Sequence, residues 1–133
     1  MNIDSELHSN ERIALAEEKC IDCCRKVLRE FDSEGTWLGA ALNRYGVAGE
    51  FYIVFIYPES EFGYNALINF GVIDGATEYF NSEEKMKHIF YQPKGYSSEK
   101  IKLLYKKRKE LIEKINRETA LYRFYLMKLL ETE

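Results

Sequence analysis

The sequence predicts an α+β domain: an N-terminal helix, a three- to four-stranded antiparallel meander, then a short helix and a long C-terminal helix packed on one sheet face. Three observations predict it. Residues 13–31 repeat apolar side chains at helical spacing, and residues 36–80 hold aromatic and β-branched runs separated by turn residues. Residues 97–133 contain neither Gly nor Pro. At 133 residues the chain fits one domain over residues 1–133, long enough to bury a core without staples.

The first helix starts at Ser9 or Asn10, either of which can accept the free N–H groups of a first turn. Its stripe is Ile13, Ala16, Cys20, Cys23, Cys24, Val27 and Phe31, with charged residues on the other face. Asp32-Ser33-Glu34-Gly35 ends it, Gly35 serving as a left-handed terminator.

The middle of the chain is the sheet. Residues 36–44 read as a strand, although Ala40, Ala41 and Leu42 would also suit a helix, and Gly46-Val47-Ala48-Gly49 turns into the strongest strand signal, residues 50–57. There Phe51, Ile53, Phe55 and Tyr57 alternate with Tyr52, Val54 and Ile56, apolar on both faces, as a central strand requires. Pro58-Glu59-Ser60-Glu61 reverses the chain into residues 62–72. Strict alternation puts Tyr64, Ala66, Ile68 and Phe70 on one face of that strand, and Asn65, Leu67, Asn69 and Gly71 on a more polar one. Asp74-Gly75 turns again and residues 77–80 add a short strand. Asn81 with Glu84 resembles a capping box opening a short helix to Phe90.

Residues 97–133 read as one amphipathic helix, with Ser97 and Ser98 before Glu99 at the positive end of its dipole. Its stripe runs Ile101, Leu104, Tyr105, Leu111, Ile112, Ile115, Thr119, Tyr122, Leu126, Leu129 and Leu130, interrupted by Arg108. Such a helix spans roughly 50 Å, against a domain diameter of roughly 36 Å. It therefore overhangs the domain or breaks, and Asn116 is the expected breakpoint. An overhanging apolar stripe calls for a partner, which makes a homodimer through this helix one expectation.

Charge is unevenly spread. The net charge is −3, yet residues 94–117 hold nine basic and three acidic side chains, a local +6. Such asymmetry serves an anionic partner or internal pairing. Met1–Asn10 is polar and acidic, unlike a secretory signal, and the apolar run 51–57 is too short to span a bilayer. The expectation is a soluble, cytoplasmic protein with no membrane association.

Catalytic motifs are absent from the sequence. It holds no P-loop, G-x-G-x-x-G, G-x-S-x-G or H-E-x-x-H, and neither a cofactor nor a metal is implied. Cys20, Cys23 and Cys24 form CxxCC, but they lie mid-helix on the apolar stripe with no second metal-binding half. The expectation is packing, not chemistry. Glu84 and His88 share a helix face without further acid–base partners.

Two segments remain as binding candidates. The basic set Lys102, Lys106, Lys107, Arg108 and Lys109 could meet phosphates or an acidic protein, although a sequence pI of about 5.6 is low for a nucleic-acid domain. The chain is also rich in Tyr and Phe, 10 and 8, and Tyr suits interfaces. The turn bearing Tyr57, Glu59, Glu61 and Tyr64 would fit a basic protein partner. The leading expectation is therefore a non-enzymatic interaction protein, an inhibitor or immunity-type protein that binds and occludes a macromolecule. The alternatives are a nucleic-acid-binding or regulatory protein using residues 94–117, and a small-ligand binder with its pocket beside Asn65 and Asn69.

Overall fold

The first helix, α1, occupies Ser9–Ser33. It buries Ala16, Cys20, Cys24, Val27 and Phe31 of the expected stripe together with Ile21 and Leu28, while Cys23 is only half-buried. The computed structural model describes residues 9–33, 40–45, 51–56, 65–79, 82, 84–86 and 98–131. Tyr57, Glu59, Glu61 and Tyr64, for which the sequence leads one to expect a turn, lie outside the described residues, as does His88.

Four strands follow: β1 (Ala40–Tyr45), β2 (Phe51–Ile56), β3 (Asn65–Gly71) and β4 (Gly75–Glu78). They pair antiparallel in the order β1-β2-β3-β4, so β2 has a neighbour on each side, as its doubly apolar sequence demands. Cross-strand partners share a face. Leu42, Val54, Ile68 and Glu78 therefore form one row, and Arg44, Tyr52, Phe70 and Ala76 the next. Val54, Ile68 and Phe70 are wholly buried, and the Tyr52 and Phe70 rings meet at 6.4 Å.

Strict alternation fails in β3. The register slips between Val54 and Phe55: Val54 pairs with Ile68, Phe55 with Ala66, and Leu67 has no partner. A bulge gives two consecutive residues to one position of the facing strand. Leu67 and Ile68 accordingly both have zero exposure and both join the core. The more polar face expected to carry Leu67 beside Asn65 and Asn69 is thus broken up.

The β3–β4 connection is Val72-Ile73-Asp74, closed by Gly75 at φ 84°. This is a three-residue hairpin loop followed, at the first residue of β4, by a position that needs the left-handed conformation, and Gly75 supplies it without cost. After β4, the short helix appears among the described residues as one turn, 84–86. Its cap is Ser82, whose Oγ accepts from the Lys85 N–H at 3.2 Å.

The last helix, α2, runs unbroken from Ser98 to Glu131. It does not break at Asn116. Intrinsic preference against Asn in a helix is only ~0.7 kcal/mol, and the side chain there makes tertiary bonds that outweigh it. The two helices lie side by side, with Lys114 Nζ 2.9 Å from Glu30 Oε2 and the charge of Arg123 felt at Cys20. These contacts run in opposite chain directions, so the helices are antiparallel. The first turns of α2 extend past the end of α1, yet Ile101 and Leu104 remain fully buried. Helices over an antiparallel sheet make the architecture α+β. Among the described residues, no helix is long and apolar enough to cross a membrane.

Candidate functional site

A helix without Gly or Pro over Ser98–Glu131, acidic at its first turn (Glu99) and basic at its last (Lys128), is stable enough to present two long faces. The inner face carries Ile101, Leu104, Leu111, Ile115 and Leu126, all buried. Among them sit polar residues that tie the helix to β4 and its hairpin.

Arg108 is the largest of these and is wholly buried. Its Nη1 donates to Glu78 Oε1 at 2.8 Å, and its guanidinium lies 3.8 Å from the centre of the Tyr105 ring. Glu78 is half-exposed, so the pair is only partly shielded from water, while Arg108 Nε has no hydrogen-bond partner among the described residues. Arg108 therefore leaves the surface set to which the sequence assigned it. The reason is its place in the apolar stripe, where its aliphatic stem packs as part of the core.

Asn116 makes a two-pronged contact. Its Oδ1 accepts from the Ala76 N–H at 2.7 Å and its Nδ2 donates to the Ala76 carbonyl at 3.0 Å. The side-chain amide thus imitates the backbone of a further strand on the free side of β4. A bare edge would otherwise template pairing with another chain. Arg123 adds bonds to Thr119 Oγ1 (2.9 Å), to the Asn116 carbonyl (2.9 Å) and to the Ile73 carbonyl (3.4 Å). A Cβ at Gly75 would collide with Asn116 Oδ1 and approach Arg123 Nη1 to 3.1 Å.

The outer face differs in kind. Lys102, Lys106 and Lys109 are exposed near its N-terminal end. Lys107 is partly covered and pairs with Glu110 at 3.2 Å. Ala120, Phe124 and Met127 follow Lys102, Lys106 and Lys109, respectively, by about five whole turns, hence on the same side of the helix. Phe124 is 56% exposed, Leu121 58%, Met127 42% and Leu130 41%. Leu130, expected in the buried stripe, stays on that side of the helix, two turns after Arg123, but is exposed, because the buried part of the stripe ends at Leu126 and half-buried Leu129. Leu121, Phe124 and Met127 were not singled out by sequence reading. The available signal was their i, i+3 spacing on the side away from the stripe.

The thiols lie under this scaffold. Burial pushes Cys20 and Cys24 up to about 12, and burial with nearby carboxylates raises Cys23 as well. Cys20 Sγ faces the Val72 carbonyl at 3.8 Å. Thiolates, the reactive form, are thus suppressed. Among the described residues no group of three or more His, Cys, Asp or Glu is placed to hold a metal.

A recess between α1 and α2, lined by Phe31, Lys107, Glu110, Leu111 and Lys114, holds about 80 Å³. Small-molecule sites run from roughly 300 Å³ upward, so this recess suits a few waters. Lys114 there holds the Glu30 carboxyl below its usual range, by hydrogen bond and by charge.

Comparison with family models, with curated proteins and with solved structures finds no match.

Proposed function

We propose that the chain is a non-enzymatic interaction protein that binds and covers a partner macromolecule, as inhibitor and immunity-type proteins do. One observation carries this reading. The outer face of α2 offers Leu121, Phe124 and Met127 to solvent, while Ile101, Leu104, Leu111, Ile115 and Leu126 of the inner face are buried in the fold. Aromatic and Met side chains grouped on an exposed surface are characteristic of interface centres. Burying one such side chain contributes about 1.5–3 kcal/mol, a reason for the face to recruit a partner. The turn bearing Tyr57, Glu59, Glu61 and Tyr64 remains the proposed contact for a basic partner.

A second reading rests on the exposed row Lys102, Lys106 and Lys109, which would suit phosphates of a nucleic acid or an acidic protein. Affinity capture from source-cell lysate, with and without nuclease, separates the two. The binder reading predicts a stoichiometric protein that survives nuclease and is lost from a Phe124→Glu bait. Recovery of nucleic acid alone, removed by nuclease or raised salt, would overturn it in favour of the lysine row.

A further inference from the structure

We infer that the C-terminal half of the outer face of α2 is self-complementary, and that a second copy of the chain docks on it antiparallel. This inference rests on reading that face as the interaction surface. It commits to the occupant through the charges that bracket the apolar patch. Arg117 lies two turns before Phe124 and Glu131 two turns after it, and both are exposed on the same side of α2. Turning a second helix end for end about Phe124 places Arg117 of each copy against Glu131 of the other. The same operation sets Leu121 beside Met127 and Phe124 beside Phe124. That is the pattern an isologous two-fold interface requires.

A parallel arrangement fails on the same residues. It would oppose Arg117 to Arg117 and Glu131 to Glu131, and would align the two helix dipoles. The existing Lys128–Glu131 contact, 3.6 Å between two exposed groups, does not compete seriously, because surface pairs at i, i+3 are weak. Lys128 also lies 5.4 Å over the Phe124 ring, so the patch carries its own cation beside its central aromatic.

The proposed register leaves the first turns of α2 uncovered. Glu131 of the partner copy reaches only as far as Arg117, and Lys102, Lys106 and Lys109 lie beyond it. The two lysine rows would then project from opposite ends of the pair, on the order of 50 Å apart along the helix axis. A dimer of this kind presents its basic segments twice and in fixed relation, which favours an elongated or repeating anionic partner through avidity.

Sedimentation equilibrium of the full chain across a concentration series tests the register. The expected result is a species of twice the 15.7 kDa chain mass. Arg117→Glu alone and Glu131→Arg alone should each weaken the dimer roughly tenfold or more, because each creates two like-charge contacts. The double variant should recover to within about threefold of the parent. Both positions are exposed, and circular dichroism checks that the variants fold. A chain that stays monomeric at every concentration overturns the inference, as does a dimer that the double variant fails to restore. If the monomer nonetheless retains a lysate protein that Phe124→Glu loses, the self-pairing falls while the broader binder reading stands.

Discussion

On the side of α2 turned toward α1 and the sheet, Arg108, Asn116, Thr119 and Arg123 sit among the apolar residues. On the opposite side, Leu121, Phe124 and Met127 sit among the charges. Each face carries the residues that the amphipathic pattern would assign to the other. The inner exceptions all have partners in the hairpin, in β4 or in the helix itself, so they fix how α2 sits against the sheet. The outer exceptions stay exposed, Phe124 meeting Lys128 of its own helix. The difference teaches that departures from amphipathicity separate into two kinds, those satisfied within the chain and those the fold leaves exposed.

The comparison breaks most easily at Arg108. Replacing it with Ala should cost about 3 kcal/mol in urea unfolding, because a long buried side chain leaves a cavity. Arg108→Met keeps the volume and removes a buried charge, and should lie within about 1 kcal/mol of the parent. If Met were as damaging as Ala, the guanidinium and not its volume would be what the core requires.

Gly75→Ala should cost about 2.5 kcal/mol, combining the φ of 84° with the collision against Asn116. Asn116→Ala should cost about 2 kcal/mol, the loss of two hydrogen bonds less a small helix-propensity gain. It should also speed exchange of the Ala76 amide hydrogen. Asn116→Asp sharpens the point: it keeps the acceptor for the Ala76 N–H but turns a second acceptor toward the Ala76 carbonyl, so it should not rescue.

The thiols offer a smaller effect with a defined pH window. Cys24 titrates near 9.0 unfolded and about 12 folded, so its burial stabilises the fold fully below pH 9 and less as pH rises toward 12. At pH 10 the loss is on the order of 1 kcal/mol for that thiol. Cys24→Ala should be less stable than the parent at pH 7 and show a flatter decline across pH 9–12. Native thiol labelling should modify half-buried Cys23 well before Cys20 or Cys24. The exposed Lys114–Glu30 pair should matter least. The carboxyl of Glu30 is held below its usual range, so the pair's contribution exists above that range and fades as pH falls through it.

Much of the fold was legible in the residues. Three-and-four spacing located α1 almost to its ends, and the doubly apolar run at residues 51–56 marked the inner strand. The bulge at Leu67 was not legible, since period-two reading assumes an uninterrupted register and nothing local to residues 65–68 announces a slip. Asn116 misled because helix propensity is local, whereas its two bonds to Ala76 join residues 40 apart in sequence. Arg108 misled because charge implies exposure until a partner such as Glu78 is known. As for the candidate site, the lysine row was visible from composition. The apolar patch was hidden, because Leu and Phe in a helix are assigned to the core until the core is seen to be complete without them.

The most direct test compares the parent and Phe124→Glu in the same two experiments, thermal unfolding and sedimentation. Phe124 is predicted to lie outside the fold's own packing and at the centre of its association surface. The variant should therefore melt within about 2 °C of the parent, as a surface substitution does, while its association is lost. A variant that melts far lower would show the outer face to be part of the core. One that associates as the parent does would show that the apolar patch is not the interface.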